Sequence, residues 1–350
     1  MRLITAALMM AGLVAGAAAP ASAIVGGTYA PQTYAGIGSL QFDHNGYKDW
    51  GFCSAHAFGN DGHGDTKFIV LNSHCGTVPP PQEQVQAMSR QGKVNAAKFR
   101  AWAENAGLAD APADPASRAG DGLKSTPVDP ASYRFVYGNV NRFEGQSVGI
   151  KRFIPPKDWN WGEPDSQGYI WDVMVAELAH PIHVQGALVA PVLPWLPVRE
   201  LGWGMTNPDP ASWIGPNGRL PLGPLLKQTD VRVTSKQQCA GAGIGTAEVC
   251  LGIAPDGGGT CAGDSSGGGV QRLGRVWVLV ATASRGPEER CGTVNVYTEI
   301  WPYLGWIVKT MHTLAPDTRV ETAAPDAISS SAAQYGQPAP DAQTAYALAG

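Results

Sequence analysis

The sequence predicts an all-β fold that ends in one helix. Glycine and proline number 44 and 28 among 350 residues, a content that suits many short strands joined by turns. Short apolar runs typical of strands recur from residue 37 to residue 298. A helical repeat of apolar residues lies near the end, over residues 301–314.

Residues 1–23 are predicted to be a signal peptide. Arg2 gives a positive start, an apolar run follows, and Ala21-Ser22-Ala23 forms a small-residue cleavage site. A membrane anchor is the alternative, but the apolar run is short and its small-residue end is wrong for an anchor. No later stretch is long and apolar enough to span a bilayer. We therefore expect a secreted protein, extracellular or periplasmic, without stable membrane insertion.

Charge and cysteine content indicate which partners, cross-links and metals the chain can have. The net charge is -4 and only 15% of residues are charged, so the chain has no basic footprint for nucleic acid. Six cysteines in an exported chain predict three disulfides, and the sequence alone leaves their pairing open. A zinc site is the alternative, which the absence of any Cys-x-x-Cys pair disfavours.

The first half of the chain contains strand signals and one long interruption. Strands are predicted at 37–42, 51–53 and 68–71, and a hairpin turn at 60–65, where a calcium loop would lack its final glutamate. From residue 79 to residue 132 the strand pattern fades. The alanines of 94–104 favour a short helix, and the rest of this stretch is expected to be an irregular surface insertion, with substrate gating or partner binding as the alternative role.

Strand signals return in the second half. They lie at 133–137, 147–153, 173–178, 226–233, 276–281 and 295–298. The closing helix places Trp301, Leu304, Ile307, Val308 and Met311 at helical spacing, so these side chains are predicted to pack on the strands. Residues 315–350 have no apolar periodicity and are predicted to be a disordered tail.

The run Cys261-Ala262-Gly263-Asp264-Ser265-Ser266-Gly267-Gly268 carries the strongest chemical signal. Small neighbours let the backbone turn sharply around Ser265 and let a substrate carbonyl approach. The N–H groups of Gly263 and Ser265 could together stabilise an oxyanion. Taken alone, the run also fits an ordinary glycine-rich loop. A serine nucleophile needs a histidine base and an acid that orients it.

Two upstream segments offer these partners. His74 follows an apolar run and precedes Cys75, and Asp172 opens another mostly apolar run, which gives the chain order His74, Asp172, Ser265. The serine run also fits the Gly-x-Ser-x-Gly elbow of α/β-hydrolases. That fold places its acid and histidine after the serine, whereas only His312 follows here.

On these residues the sequence resembles the trypsin/chymotrypsin family of serine proteases. That family carries Cys-x-Gly-Asp-Ser-Gly-Gly-Pro at its nucleophile and Ala-Ala-His-Cys at its base. Weaker matches, such as Gly202-Trp203-Gly204-Met205-Thr206, follow in the right order. The resemblance covers most of residues 24–314 and implies two six-stranded antiparallel β-barrels with a C-terminal helix, the chymotrypsin-like fold. The barrels would occupy 24–195 and 196–314.

The resemblance implies a serine endopeptidase that works through an acyl-enzyme, with no cofactor. Ser265 would attack the carbonyl, His74 would transfer the proton and Asp172 would orient the imidazole. Protein or peptide substrates and a monomer are expected. Ser266, Gly268 and the pair Asn72-Ser73 depart from the family's residues. The alternative is therefore a catalytically silent homologue that binds proteins.

The same resemblance implies a disulfide pattern and an activation pair. The disulfides would be Cys53–Cys75, Cys239–Cys250 and Cys261–Cys291. Cleavage after Ala23 would free Ile24, whose amino group would pair with Asp264, because a buried carboxylate needs a partner. Since the signal peptide adjoins Ile24 directly, we expect its removal to activate the enzyme.

The resemblance also implies a specificity pocket. Its predicted lining is Gly259, Ser284, Gly286 and Asn295. Trypsin-type members have an aspartate where this chain has Gly259, and a buried cation needs a partner. The prediction is cleavage after large apolar residues in preference to arginine.

Overall fold

The computed structural model describes residues 24–44, 46–79, 83, 86, 113–115, 124–212, 220–287 and 290–337. The predicted signal peptide and the predicted helix at 94–104 lie outside the described residues. The elements are β1 (Thr28–Tyr29), β2 (Ile37–His44), β3 (Tyr47–Phe58), β4 (Thr66–Leu71), β5 (Tyr133–Tyr137), β6 (Gln146–Ile154), β7 (Met174–Ile182), β8 (Val198–Gly202), β9 (Lys227–Val231), β10 (Val233–Thr234), β11 (Glu248–Leu251), β12 (Gly268–Leu273), β13 (Val276–Arg285), β14 (Asn295–Glu299), α1 (Leu304–Leu314) and α2 (Pro325–Gln334).

Six strands form a closed antiparallel barrel in the order β2-β3-β4-β7-β6-β5. Alternate residues of β5, namely Tyr133, Phe135 and Tyr137, point into its core, as expected for a strand with one buried face. The predicted hairpin turn joins β3 to β4, where the Asp61 carboxylate accepts the N–H groups of His63 and Asp65. The structure therefore confirms that the first predicted barrel is a closed antiparallel sheet of six strands.

The second sheet is larger than the predicted six-stranded barrel. It contains eight strands in the order β1-β9-β8-β12-β13-β14-β11-β10. Its two extra strands, β1 and β10, are two residues long. Only Arg232 separates β9 from β10, yet β9 lies second from one edge of the sheet and β10 forms the other edge. The sheet must therefore curl so that these two ends approach each other. The observed architecture is consistent with a chymotrypsin-like fold.

The closing helix α1 packs where the two sheets meet. A turn of 3-10 helix, Trp301–Tyr303, leads into it. Leu304, Ile307 and Met311 are buried, in a cluster that also contains Phe68 of the barrel and Leu279 of the second sheet. The helical repeat of the sequence therefore marks a contact between the sheets.

The chain is ordered beyond the helix, so the prediction of disorder is wrong for residues 315–337. Arg319 pairs with Asn60 and Thr322 with Val189. Ile328 and Ala332 of α2 are buried, and Ile328 belongs to the core cluster of the second sheet. Ile328 and Ala332, four apart, are the two buried residues of α2, which explains why its polar composition hides the contact. Residues 338–350 lie outside the described residues.

Removal of residues 315–350 is expected to lower the free energy of unfolding by roughly 3 kcal/mol, because burying one isoleucine alone contributes about 1.5–3 kcal/mol. Denaturant unfolding of the chain ending at Leu314 measures this. A chain ending at Gln337 keeps every contact described above and serves as the control. Equal stability of the two truncated chains would contradict the expectation.

Candidate active site

The register of two strands brings His74 and Asp172 together. Leu71, the last residue of β4, pairs with Met174, the first residue of β7. His74 follows the first and Asp172 precedes the second, so both leave the barrel at the same edge. His74 Nδ1 lies 2.9 Å from Asp172 Oδ2, and the N–H of His74 donates to Asp172 Oδ1 at 3.0 Å.

Backbone strain next to Asp172 supports its position. Trp171 has a φ of 53°, a conformation that a bulky residue adopts only when its surroundings enforce it. Its N–H donates to the Tyr303 hydroxyl and its indole N–H donates to Asp165. These contacts hold the turn that presents Asp172 to the imidazole.

Asp172 is a buried and ionised carboxylate. Burial alone would raise its pKa, but the His74 ring and the hydrogen bonds from His74 and Ser284 outweigh burial and lower the pKa to about 2. Ser284 Oγ donates to Asp172 Oδ2 at 2.6 Å. The carboxylate can therefore fix one ring nitrogen of His74 as a donor.

The Ser265 loop is bonded to both sheets. The Ser265 carbonyl accepts the N–H of Ser54 at 2.7 Å, and the N–H of Ser266 donates to Ala283 at 2.8 Å. Ser266 Oγ accepts the N–H of Asn72 at 2.7 Å and lies 3.2 Å from Cys75 Sγ. The residue after Ser265 thus touches residues on both sides of His74.

The two adjacent serines differ in accessibility. Ser266 is fully buried, and its hydroxyl is bonded to the segment that carries His74. Ser265 is half-buried. Of the two serines, Ser265 is the one that keeps exposed surface.

Gly263 occupies a position that excludes a side chain. Its φ is 89°, and a Cβ there would lie 2.5 Å from Leu222 Cδ2. Among the described residues, the N–H of Gly263 donates to no backbone carbonyl or side chain, and Ser265 forms an isolated parallel bridge with Cys53. The N–H of Gly263 is therefore available to an oxyanion.

Three disulfides join Cys53 to Cys75, Cys239 to Cys250 and Cys261 to Cys291, the pairs that the family resemblance implies. The first ties β3 to the His74 turn, and the third braces the Ser265 loop. Ligand atoms of Cys53, His74 and Cys75 lie within 4.8 Å of one another. The two sulfur atoms are bonded to each other, so they do not form the thiolate pair that zinc requires.

Asp264, the predicted partner of the Ile24 amino group, is fully buried. Its carboxylate accepts the N–H groups of Gly204 at 2.7 Å and Cys261 at 2.9 Å. Burial raises the pKa of Asp264 to about 7, and these hydrogen bonds and Lys227 oppose the rise. Ile24 is also buried, and its carbonyl accepts from Lys227 Nζ at 3.2 Å. Lys227 thus links the Ile24 segment to the surroundings of Asp264.

The predicted pocket residues are not all equivalent. Gly259 lies beside Asn295, since a Cβ on Gly259 would be 3.6 Å from Asn295 Nδ2, and Gly286 is exposed. The hydroxyl of Ser284 is bonded to Asp172. Arg285, next along the chain, forms a two-pronged ion pair with Glu248 at 2.6 and 2.7 Å and donates to Ser284 Oγ at 3.0 Å.

The contacts of two buried polar residues, Asn72 and Glu200, and of the half-buried Ser284 were not predicted from the sequence. Asn72 and Ser284 donate to Asp172, and Glu200 lies near Asp264. In the sequence, the one sign of these contacts is that the polar residue Asn72 directly follows an apolar run. His56, a further buried histidine, is bonded through Nδ1 to the carbonyl of Ala35, and burial lowers its pKa to about 4.

No family model matches the chain. The chain is 32% identical over 166 residues to CLIP domain-containing serine protease B14 of Anopheles gambiae. The match covers 41% of this chain and 43% of that protein. None of the helices in the described part of the chain has the length and apolar character needed to cross a membrane. A partial likeness to a serine protease, on a chain with this barrel architecture, fits the trypsin/chymotrypsin family in outline.

Proposed function

We propose that this chain is a serine endopeptidase. The observation that carries the proposal is the meeting of three segments at one edge of the barrel. A buried Asp172 is bonded to His74, and the loop of Ser265 is bonded to Asn72 and Cys75 on either side of that histidine. This arrangement supplies a nucleophile, a base and an acid that orients the base.

In the proposed mechanism Ser265 Oγ attacks the scissile carbonyl while His74 Nε2 takes its proton. Asp172 holds Nδ1 as the protonated nitrogen and stabilises the imidazolium that forms. The N–H groups of Gly263 and Ser265 bind the oxyanion. His74 then protonates the leaving amine, and water hydrolyses the acyl-enzyme by the same steps in reverse order.

The proposal extends to the organisation of the chain. Residues 24–195 and 196–314 form the two halves of the enzyme, residues 1–23 direct secretion, and Ile24 becomes the mature N-terminus. Three disulfides support an extracellular or periplasmic location, where such bonds persist. The freed amino group of Ile24 would give the buried Asp264 a positively charged partner.

Covalent labelling by a fluorophosphonate tests the reaction. The wild-type chain starting at Ile24 is expected to be labelled on Ser265, and Ser265→Ala and His74→Ala to lose labelling. Ser266→Ala, which removes the neighbouring hydroxyl, serves as the control for the labelled position, because it is expected to take its label on Ser265, although more slowly than wild type. A folded wild-type chain that takes no label would overturn the proposal and favour a protein-binding homologue.

The substrate preference is proposed to follow from the pocket. Gly259 and Asn295 bring no charge to its lining, which suits large apolar side chains. A peptide-library profile of the secreted protein, with Ser265→Ala as the blank, is expected to favour apolar over basic residues before the cleaved bond. A profile dominated by lysine and arginine would contradict this preference and leave the proposed reaction in place.

A further inference from the structure

Asn72 is fully buried beside the two parts of the proposed machinery. Its side-chain amide donates to the carbonyl of Asp172 at 2.8 Å, to Asp172 Oδ2 at 3.1 Å and to Thr298 Oγ1 at 3.3 Å. The carbonyl and the ionised carboxylate of Asp172 can only accept hydrogen bonds. The amide nitrogen, and not the amide oxygen, must therefore face them.

The backbone of the same residue holds the nucleophile loop. The N–H of Asn72 donates to Ser266 Oγ at 2.7 Å. Ser266 has a φ of 60°, a left-handed conformation that costs a non-glycine residue on the order of 1 kcal/mol or more. Glycine would relieve this strain, but the chain has a serine here, and the serine hydroxyl accepts the N–H of Asn72.

The polar character of Asn72 carries a cost. Its Oδ1 has no hydrogen-bond partner among the described residues, and an unpaired buried acceptor costs about 1–3 kcal/mol. A leucine of similar size would fill the same space without that cost. The amide is useful at this position only for the hydrogen bonds that its nitrogen donates.

We propose that Asn72 is a positioning residue that couples the acid of the site to the nucleophile loop. Its side chain orients Asp172, and its N–H fixes Ser266 and with it Ser265 relative to His74. The inference rests on the proposed function. It assigns Asp172 a further hydrogen-bond donor besides His74 and Ser284. It also assigns a direct link between two loops that lie 194 residues apart in sequence.

Loss of the amide is expected to change both the rate and its pH dependence. Asn72→Leu is expected to slow labelling of Ser265 about ten- to a hundredfold, the scale at which small misplacements of reacting groups act. With fewer donors to share it, more of the Asp172 charge faces the imidazolium of His74. The acid limb of the pH–rate profile therefore moves to higher pH. The other groups that interact with Asp172, Arg285 and Tyr303, stay unchanged in this variant.

The matched control is Gln41→Leu. Gln41 is another buried amide of the barrel, and it donates to the carbonyl of Arg142 away from the site. Its replacement is expected to lower stability without moving the labelling rate or the acid limb. If Asn72→Leu does not fold, the same measurements are made on Asn72→Ala, which removes the same side-chain donors without adding bulk.

Substitutions of Ser266 test the second half of the link. Ser266→Gly removes the acceptor and relieves the positive φ, and Ser266→Ala removes the acceptor alone. Both are expected to slow labelling, and the effect of Asn72→Leu is expected to be smaller in the Ser266→Gly background than in wild type, because residues that act as a unit are not additive.

The experiment measures the second-order rate of fluorophosphonate labelling across pH, together with denaturant unfolding, for each folded variant. If the wild-type chain is labelled, and Asn72→Leu and Ser266→Gly have the same labelling rate and acid limb, this inference is overturned and the proposed function stands. Additive effects of the two substitutions overturn the coupling. Absence of labelling in the wild-type chain overturns the proposed function and this inference with it.

Discussion

Asp172→Asn is expected to lower kcat by about 10⁴-fold while the fold is retained. Asp172 accepts hydrogen bonds from the backbone and ring of His74 and from Ser284. An asparagine offers one oxygen and one NH₂ group in place of two accepting oxygens. When the NH₂ group faces His74 Nδ1, that nitrogen must become the acceptor. The proton then lies on Nε2, which can no longer take the proton of Ser265.

Steady-state hydrolysis of an ester or peptide substrate measures the loss. The matched control is Asp61→Asn, in the turn between β3 and β4, because Asp61 likewise accepts backbone N–H groups and lies away from the site. Its effect on kcat is expected to be small. An Asp172→Asn enzyme with kcat close to that of wild type would show that the carboxylate does not orient the base.

The same carboxylate makes a pH-dependent contribution to stability. In the unfolded chain Asp172 titrates near 3.8, and in the folded chain its pKa is about 2. The stabilisation is therefore complete above pH 3.8 and is lost as the pH falls through 2, and it amounts to about 2 kcal/mol. Because Asp172 stays ionised throughout the neutral range, it is not the group that sets the acid limb of the rate.

The parts of this molecule that local patterns specify could be predicted from sequence. The strands of the first barrel and the closing helix follow from apolar runs and a helical repeat, since each buries a continuous face. The proposed order of the site residues, His74, Asp172 and Ser265, rests on motifs. The register that pairs Leu71 with Met174, and so brings the first two of these residues together, could not be predicted because it depends on long-range strand pairing.

Features that depend on a few distant contacts were missed. The α2 helix buries Ile328 against a sheet that the sequence does not show to be adjacent. The hydrogen bond between Asn72 and Ser266 joins two positions that look like unrelated departures from the family's residues. A polar residue such as Glu200, inside an otherwise strand-like run, gives no sign that its side chain will be buried beside another acid.

Glu200→Gln is expected to stabilise the protein strongly at neutral pH. Glu200 lies on β8, between β9 and β12, and is fully buried. Burial raises its pKa to about 8. The Asp264 carboxylate adds to the rise, and the Tyr297 hydroxyl and the Thr260 N–H oppose it. Neither carboxyl oxygen has a hydrogen-bond partner of ordinary geometry among the described residues.

The sign of the effect follows from the protons bound in each state. In the unfolded chain Glu200 titrates near 4.5, so between pH 4.5 and 8 the folded chain holds a proton that the unfolded chain has released. Stability contributed by this group is therefore present below pH 4.5 and declines as the pH rises through this window. At pH 7 the loss is about 3 kcal/mol relative to pH 4.5. Glutamine has no proton to lose and avoids this loss.

Denaturant unfolding at pH 4.5 and pH 7 measures the difference. The advantage of Glu200→Gln over wild type is expected to be larger at pH 7 than at pH 4.5 by about 3 kcal/mol. Glu144→Gln is the control, because Glu144 is exposed and its partner Asn141 can bond equally well to a glutamine oxygen. An advantage that does not change with pH would mean that Glu200 is ionised in the folded protein. The carboxylate would then need a positive partner, and the amino group that we propose is freed at Ile24 would be the group to examine.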